Sequence, residues 1–106
     1  MSVCRKTGQA DEDLIALYMQ GHDMFGSRRA DRYLDDLEAL FERLAEHPGL
    51  ARLRTEFEPP VRAFTYRAHV VIYEEEPGGI VIVRVRHGHE DWHNDPRGPR
   101  DDRDQF

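Results

Sequence analysis

Between Ser27 and His47 the apolar residues Ala30, Tyr33, Leu34, Leu37, Leu40, Phe41, Leu44 and Ala45 recur at helical spacing, and Asp31, Asp35, Glu38, Glu42 and Glu46 fall between them. An α-helix puts the first group on one face and the second on the opposite face. The pattern therefore predicts a helix of about 30 Å at 1.5 Å per residue, which must bury its stripe against another layer. Ser27 is the expected cap, and Pro48-Gly49 the stop. A second helical pattern precedes it, with Ala10, Leu14, Leu17 and Tyr18 leading to about Met24. Thr7 is placed to cap it, and Asp11, Glu12 and Asp13 put negative charge at the positive end of its dipole. Phe25-Gly26-Ser27 leaves room only for a reversal, with Gly26 supplying the unusual backbone angle, so the two helices form an antiparallel hairpin.

After Pro59-Pro60 the period changes from helical to two. Val61 to Tyr66, His69 to Tyr73 and Ile80 to His87 read as strands, joined by a tight turn at Arg67-Ala68 and by Glu74–Glu76 leading into a turn at Pro77-Gly78-Gly79. Ser2 to Lys6 adds a short strand on the strength of Val3 and Cys4. The expected fold class is α+β in the order β-α-α-β-β-β, the helical hairpin packed on one face of a small, mainly antiparallel sheet. Ile80-Val81-Ile82-Val83 is apolar on both faces, so both sides of that strand must be covered. The hairpin covers one side; a second chain is the expected cover for part of the other. From Gly88 onward the composition turns polar, with two prolines, two glycines and only Trp92 and Phe106 as large apolar side chains. Residues 1–92 are expected to form the domain, and 93–106 a polar, mobile tail.

The formal charge of −6 disfavours a surface that tracks phosphates, which needs a basic footprint. Fourteen of the fifteen bases are arginine, a residue suited to carboxylate pairing at protein interfaces. Cys4 is the sole cysteine, so an intrachain disulfide is excluded and a reducing compartment fits. The N-terminal residues carry no apolar run of a signal-peptide kind, and no run is long enough for a membrane span, which together predict a cytoplasmic protein.

No nucleophile arrangement stands out: Ser2 and Ser27 suit a terminus and a cap, and Cys4 has only Arg5 and Lys6 as basic neighbours. Gly78-Gly79 is a turn rather than a phosphate loop. His87, His89, Asp91 and His93 alternate, which on an extended segment places four ligand-type groups on one side. The segment runs into the tail, however, and no metal or other cofactor is expected; His47 and His69 read as surface and turn residues. Metal-free RNA cleavage needs a base, a phosphate-binding cation and an acid. Arg62, Arg67, Arg84, Arg86 and His87, with Glu56 or Glu58 just before the sheet, contain candidates for each role. Arginines on strands in an acidic chain more often pair with carboxylates, so binding without catalysis is the leading expectation.

The ordered set Ala10-x-x-Asp13-Leu14-x-x-Leu17, Phe25-Gly26, Ala30-Asp31-Arg32-Tyr33, Phe41-x-x-Leu44-Ala45-x-x-Pro48, Val61-Arg62-x-Phe64, His69-Val70-Val71-Ile72-Tyr73 and Ile82-Val83-Arg84-Val85-x-His87-Gly88-x-x-Asp91 resembles the ParE branch of the ParE/RelE toxin superfamily. The resemblance spans residues 2 to 92 and departs from the family at Gln20, where an aromatic is common. It implies the toxin half of a type II toxin–antitoxin pair, neutralised by a ParD-like antitoxin whose ribbon-helix-helix domain contacts DNA, in a hetero-oligomer where this chain touches no nucleic acid itself. ParE-type members are understood to block DNA gyrase by binding. RelE-type relatives instead cut mRNA on the ribosome and are strongly basic, whereas this chain has the single lysine Lys6.

On that resemblance the expected antitoxin contacts are Tyr33, Leu37, Phe41, Phe64, Tyr66, Ile80 and Ile82. Arg84, Arg86, His87, Asp91 and Trp92 are the expected target-facing group. No catalytic residue is assigned; under the nuclease alternative the set is Arg62, Arg84 and His87.

Overall fold

In the computed structural model, residues 2–97 are described, and the chain forms β1 (Val3–Lys6), α1 (Gly8–Phe25), α2 (Ser27–Glu46), β2 (Leu53–Arg54), β3 (Val61–Tyr66), β4 (His69–Glu76) and β5 (Gly79–His87). The five strands make one sheet in the order β1-β5-β4-β3-β2. Strands β2 to β5 are antiparallel neighbours, while β1 lies parallel to β5 at the edge, with Val3 opposite Gly79 and Lys6 opposite Ile82. The β-α-α-β-β-β order therefore holds with one addition. The two-residue β2, between Pro48 and Pro59, is too short to leave a period-two signature.

Thr7 caps α1 through its hydroxyl, which accepts from the Ala10 amide at 3.0 Å. Gly26 takes φ of 90° between the helices and serves both, ending α1 through its amide to His22 O at 2.9 Å and standing as the N-cap of α2. Ser27 is already helical and makes no capping bond, a correction to its expected role. The stripe of α2 is buried as its spacing requires: Leu37 and Leu44 are fully covered, and Phe41 nearly so. They meet Ala10 and Leu14 of α1 and Val71, Tyr73, Ile80, Ile82 and Val85 of the sheet. Each such large side chain contributes about 1.5–3 kcal/mol relative to exposure. The Tyr73 hydroxyl donates to Pro48 O at 2.7 Å and accepts from the Ala51 amide at 3.3 Å, which ties the end of α2 to the core.

Glu74, Glu75 and Glu76, expected as a polar connector, belong to β4, and the turn tightens to Pro77-Gly78. Arginines hold the acids there: Arg97 reaches Glu74, Arg62 reaches Glu75 and Arg5 reaches Glu76.

Part of the second face of the sheet is covered by the chain itself. Val61, Val70, Ile72 and Trp92 form a smaller core, with Phe57, Ala63 and Val83 at its margin. A second chain is not needed to cover that part of the sheet, because the segment after β5 folds back across it. Arg86 donates to Asp95 O at 2.9 Å, Arg84 to Arg97 O at 2.6 Å, and Arg97 to Pro59 O at 3.0 Å. Residues 93–97, the start of the expected tail, are thus held against the sheet; its remainder, 98–106, lies outside the described residues.

Candidate functional site

Structural roles take most of the side chains that the sequence offered as site residues. Leu37, Phe41, Ile80 and Ile82, expected to contact a partner, are 0%, 1%, 0% and 0% exposed. They fill the space between helices and sheet, so a partner cannot reach them without opening the core. Tyr33, Phe64 and Tyr66 are only part-buried beside that core and stay available. Tyr33 and Tyr66 meet edge to face with ring centroids 6.1 Å apart.

The target-facing group divides in the same way. Arg86 is buried and bound to Glu90 and to the carbonyls after it, and Trp92, 6% exposed, is the keystone of the second core. Both are corrected to structural residues. Arg84 grips Asp13 with two nitrogens, and that bond raises its pKa above the ordinary guanidinium value. Asp91 is exposed and accepts from the Asn94 amide at 2.6 Å, and His87 is half-buried. For the nuclease set, Arg62 donates to Ala51 O at 2.6 Å and reaches Glu75, on a strand separated from β5 by β4. Arg62 and Arg84 are thus engaged with different neighbours, and the His87 ring lies instead against those of His69 and His89.

The alternating histidines do not converge. His87 and His89 lie ring against ring at 3.8 Å, His93 stacks on Trp92 at 3.9 Å, and Asp91 turns to Asn94. Among the described residues no group of three His, Cys, Asp or Glu is placed to hold a metal ion. Burial raises the pKa of the Cys4 thiol, the direction that suppresses reactivity, against the opposing charge of Lys6.

What the fold does assemble is a cleft of about 570 Å³ where the tip of the helical hairpin meets the β3–β4 turn and the end of β5. Leu17, Met24, Phe25 and Tyr33 give it an apolar lining, and Arg29, Arg32 and Arg67 stand around it. His69 and His87 close its sheet end, their rings 5.0 Å apart. Tyr33 OH lies 2.7 Å from His69 Nδ1. Burial lowers the His69 pKa, the neighbouring His87 adds to this, and Glu90 opposes it. The Tyr33 hydroxyl is shifted upward, first by burial. Arg67 lies over the rings of Tyr33 and Tyr66, at 5.9 and 5.1 Å from their centroids. The arginines were legible as Arg28-Arg29-x-x-Arg32, a basic run in an acidic chain. Their meeting with Arg67 and the two histidines depends on how hairpin and sheet pack, which residue spacing does not encode.

Known proteins place this fold. Toxin ParE3 of Caulobacter vibrioides is 28% identical over 83 residues, 78% of this chain and 83% of that protein. Toxin ParE1 of the same organism is 29% identical over 82% of this chain and 90% of its own length. Toxin ParE1 of Mycobacterium tuberculosis is 30% identical over 62% of this chain and 68% of its own. A solved chain described as the chromosomal ParDE TA system from P. aeruginosa superposes with a TM-score of 0.70 at 21% identity, covering 82% of this chain and 96% of that one, and so shares the fold. Residues 5–92 match the family described as the ParE toxin of the type II toxin-antitoxin system, parDE, and the chain belongs to that family.

Proposed function

We propose that the chain is a toxin that acts by binding, held inactive by a ParD-like antitoxin and directed at DNA gyrase in the cytoplasm. One observation supports binding over catalysis. Arg62 and Arg84, the cations that a metal-free phosphodiester cleavage would draw on, are committed to Ala51, Glu75 and Asp13 within the fold. The family supports the toxin–antitoxin context, and no described helix is long and apolar enough to cross a membrane. Tyr33, Phe64 and Tyr66 are the proposed antitoxin contacts that remain reachable, and His87 and Asp91 the reachable members of the target-facing group.

The test uses purified chain in two reactions. In a DNA supercoiling assay with bacterial gyrase, inhibition at micromolar toxin, relieved by a ParD-like antitoxin, is expected. In a coupled translation reaction, intact mRNA is expected. Cleaved mRNA that depends on His87, with gyrase unaffected, would move the chain to the RelE-like reading.

A further inference from the structure

In a chain of net charge −6, basic side chains gather around one apolar cleft, and this is the most distinctive surface of the molecule. Arg29 and Arg32 rise from the first turns of α2, and Arg67 sits in the β3–β4 turn with φ of 52°. Of the acids nearby, Asp31 accepts from Tyr18 OH at 2.6 Å and Asp36 lies 3.8 Å from Arg67, while Asp23 points largely to solvent beside His22. Inside the rim, Met24 and Phe25 are 63% and 57% exposed, an unusual cost for large apolar groups at a helix end. Phe25 is not simply stranded, since Arg29 lies over its ring at 5.6 Å. Aromatic, methionine and arginine side chains around a concave apolar centre are the composition of a protein-binding hot spot.

We infer that this cleft is the surface by which the toxin engages its target, receiving an apolar side chain of the target protein flanked by carboxylates. The inference rests on the gyrase reading above and names the site that serves it. Charge complementarity carries it. An acidic protein repels acidic partners over most of its surface, so a carboxylate-rich patch is steered to a place where exposed arginines cluster. There the carboxylates meet Arg29, Arg32 and Arg67, and the apolar side chain enters between Leu17, Met24 and Phe25. His87, the half-buried member of the target-facing group, closes the same cleft.

The experiment compares wild type with Arg29→Glu, Arg67→Glu and Met24→Asp in the gyrase supercoiling assay, with Arg43→Glu, an exposed reversal elsewhere on α2, as control. Binding of the antitoxin and thermal unfolding are measured for each. Cleft variants that melt like wild type but need at least about tenfold more protein for half-inhibition, beside an unchanged control, bear the inference out. Arg29→Ala and Arg67→Ala, which remove charge at exposed positions without reversing it, give the same direction if a reversal disturbs folding. Undiminished inhibition by the cleft variants overturns the inference, and it does so equally if those variants lose the antitoxin, which would then be the occupant. A wild type that leaves gyrase untouched overturns the gyrase reading itself, and is recognised because no variant is needed to see it.

Discussion

The Asp13 carboxylate, on the second turn of α1, joins Arg84 at two points, 2.7 Å from Nε and 3.0 Å from Nη2, and also accepts the Val85 amide at 2.9 Å. This arrangement answers a gap in the sheet. β1 ends at Lys6, opposite Ile82, and the pairing of β4 and β5 slips between Ile72 and Tyr73, where Ile72 faces Arg84 while Tyr73 faces Ile82. Beyond β1 the outer edge of β5 would carry unpaired backbone groups. Thr7 takes one of them, its hydroxyl donating to Val83 O at 2.7 Å, and Asp13 takes the next. Both side chains of the pair are mostly covered, at 14% and 17% exposure, so screening by water is weak. Asp13→Ala is expected to destabilise the protein by about 3 kcal/mol, because it strands a partly buried guanidinium and an amide together. Asp13→Asn keeps one acceptor and should cost about half as much. Urea denaturation measures both, and an alanine variant within about 0.5 kcal/mol of wild type would show the contact to be decorative.

Gly79 presents a steric prediction. A Cβ built there would lie 1.8 Å from Val3 O, so β1 can approach β5 only because the position has no side chain. Gly79→Ala is expected to displace β1 and to cost upwards of about 3 kcal/mol, at or beyond the usual range for overpacking. Gly78 is the internal comparison. Its φ of 85° strains any other residue, but a Cβ there meets nothing, so Gly78→Ala should cost only about 1–2 kcal/mol. Hydrogen exchange of the β1 amides separates the two, since only the Gly79 variant should release them. Equal effects from both substitutions would argue against close approach as the constraint.

Trp92 tests whether the segment after β5 is part of the fold. The ring seals Val61, Val70 and Ile72, and Arg54 lies over it at 5.6 Å. Trp92→Ala should cost about 3–5 kcal/mol, as removal of a buried aromatic does, and Trp92→Phe considerably less. Gyrase inhibition is expected to follow stability across the pair, with the phenylalanine variant active. A phenylalanine variant that folds normally yet no longer inhibits would return Trp92 to the target-facing group.

The parts of the fold that the amino-acid pattern revealed are those set by local periodicity. The α2 stripe, the Thr7 cap, the Gly26 reversal and the strand alternation each follow from neighbours a few residues apart. Three features escape that reach: Gly26 takes the cap that Ser27 could equally fill, β2 rests on a pairing of only two residues, and the Glu74–Glu76 strand end is held by the distant Arg5, Arg62 and Arg97. On the second apolar face of β5, Val81 and Val83 are only half-buried, and the cover that Val83 has comes from the same chain. A segment as polar as 88–97 gives no hint that Trp92 and arginine-bound carbonyls will hold it down. Among candidate site residues, apolar ones on the α2 stripe could not be divided into core and surface by spacing alone. Only the packing shows Leu37 and Phe41 sealed and Tyr33 reachable.

Acid should weaken the fold through His69. Burial holds its folded pKa below the ordinary 6.5, His87 pushes in the same direction, and Glu90 acts against them. Tyr33 at 2.7 Å and Arg67 in the same cleft supply no negative charge that would welcome a proton. As pH falls through 6.5 the unfolded chain takes up a proton at this residue while the folded chain does not. The unfolded state then binds more protons, so stability rises with pH across the window between the depressed folded value and 6.5, and is lost as pH drops through it. Glu76 titrates elsewhere, its pKa lowered below 4.5 by the bond from Arg5, so its contribution fades only in a separate, more acidic range. Thermal unfolding followed in steps from about pH 7.5 to about pH 5 should show the midpoint falling in wild type, and falling less in His69→Gln, which cannot titrate. Parallel curves for the two proteins across that range would mean that His69 exchanges its proton as freely in the fold as out of it, and that the covered imidazole beside Tyr33 is not what acid attacks.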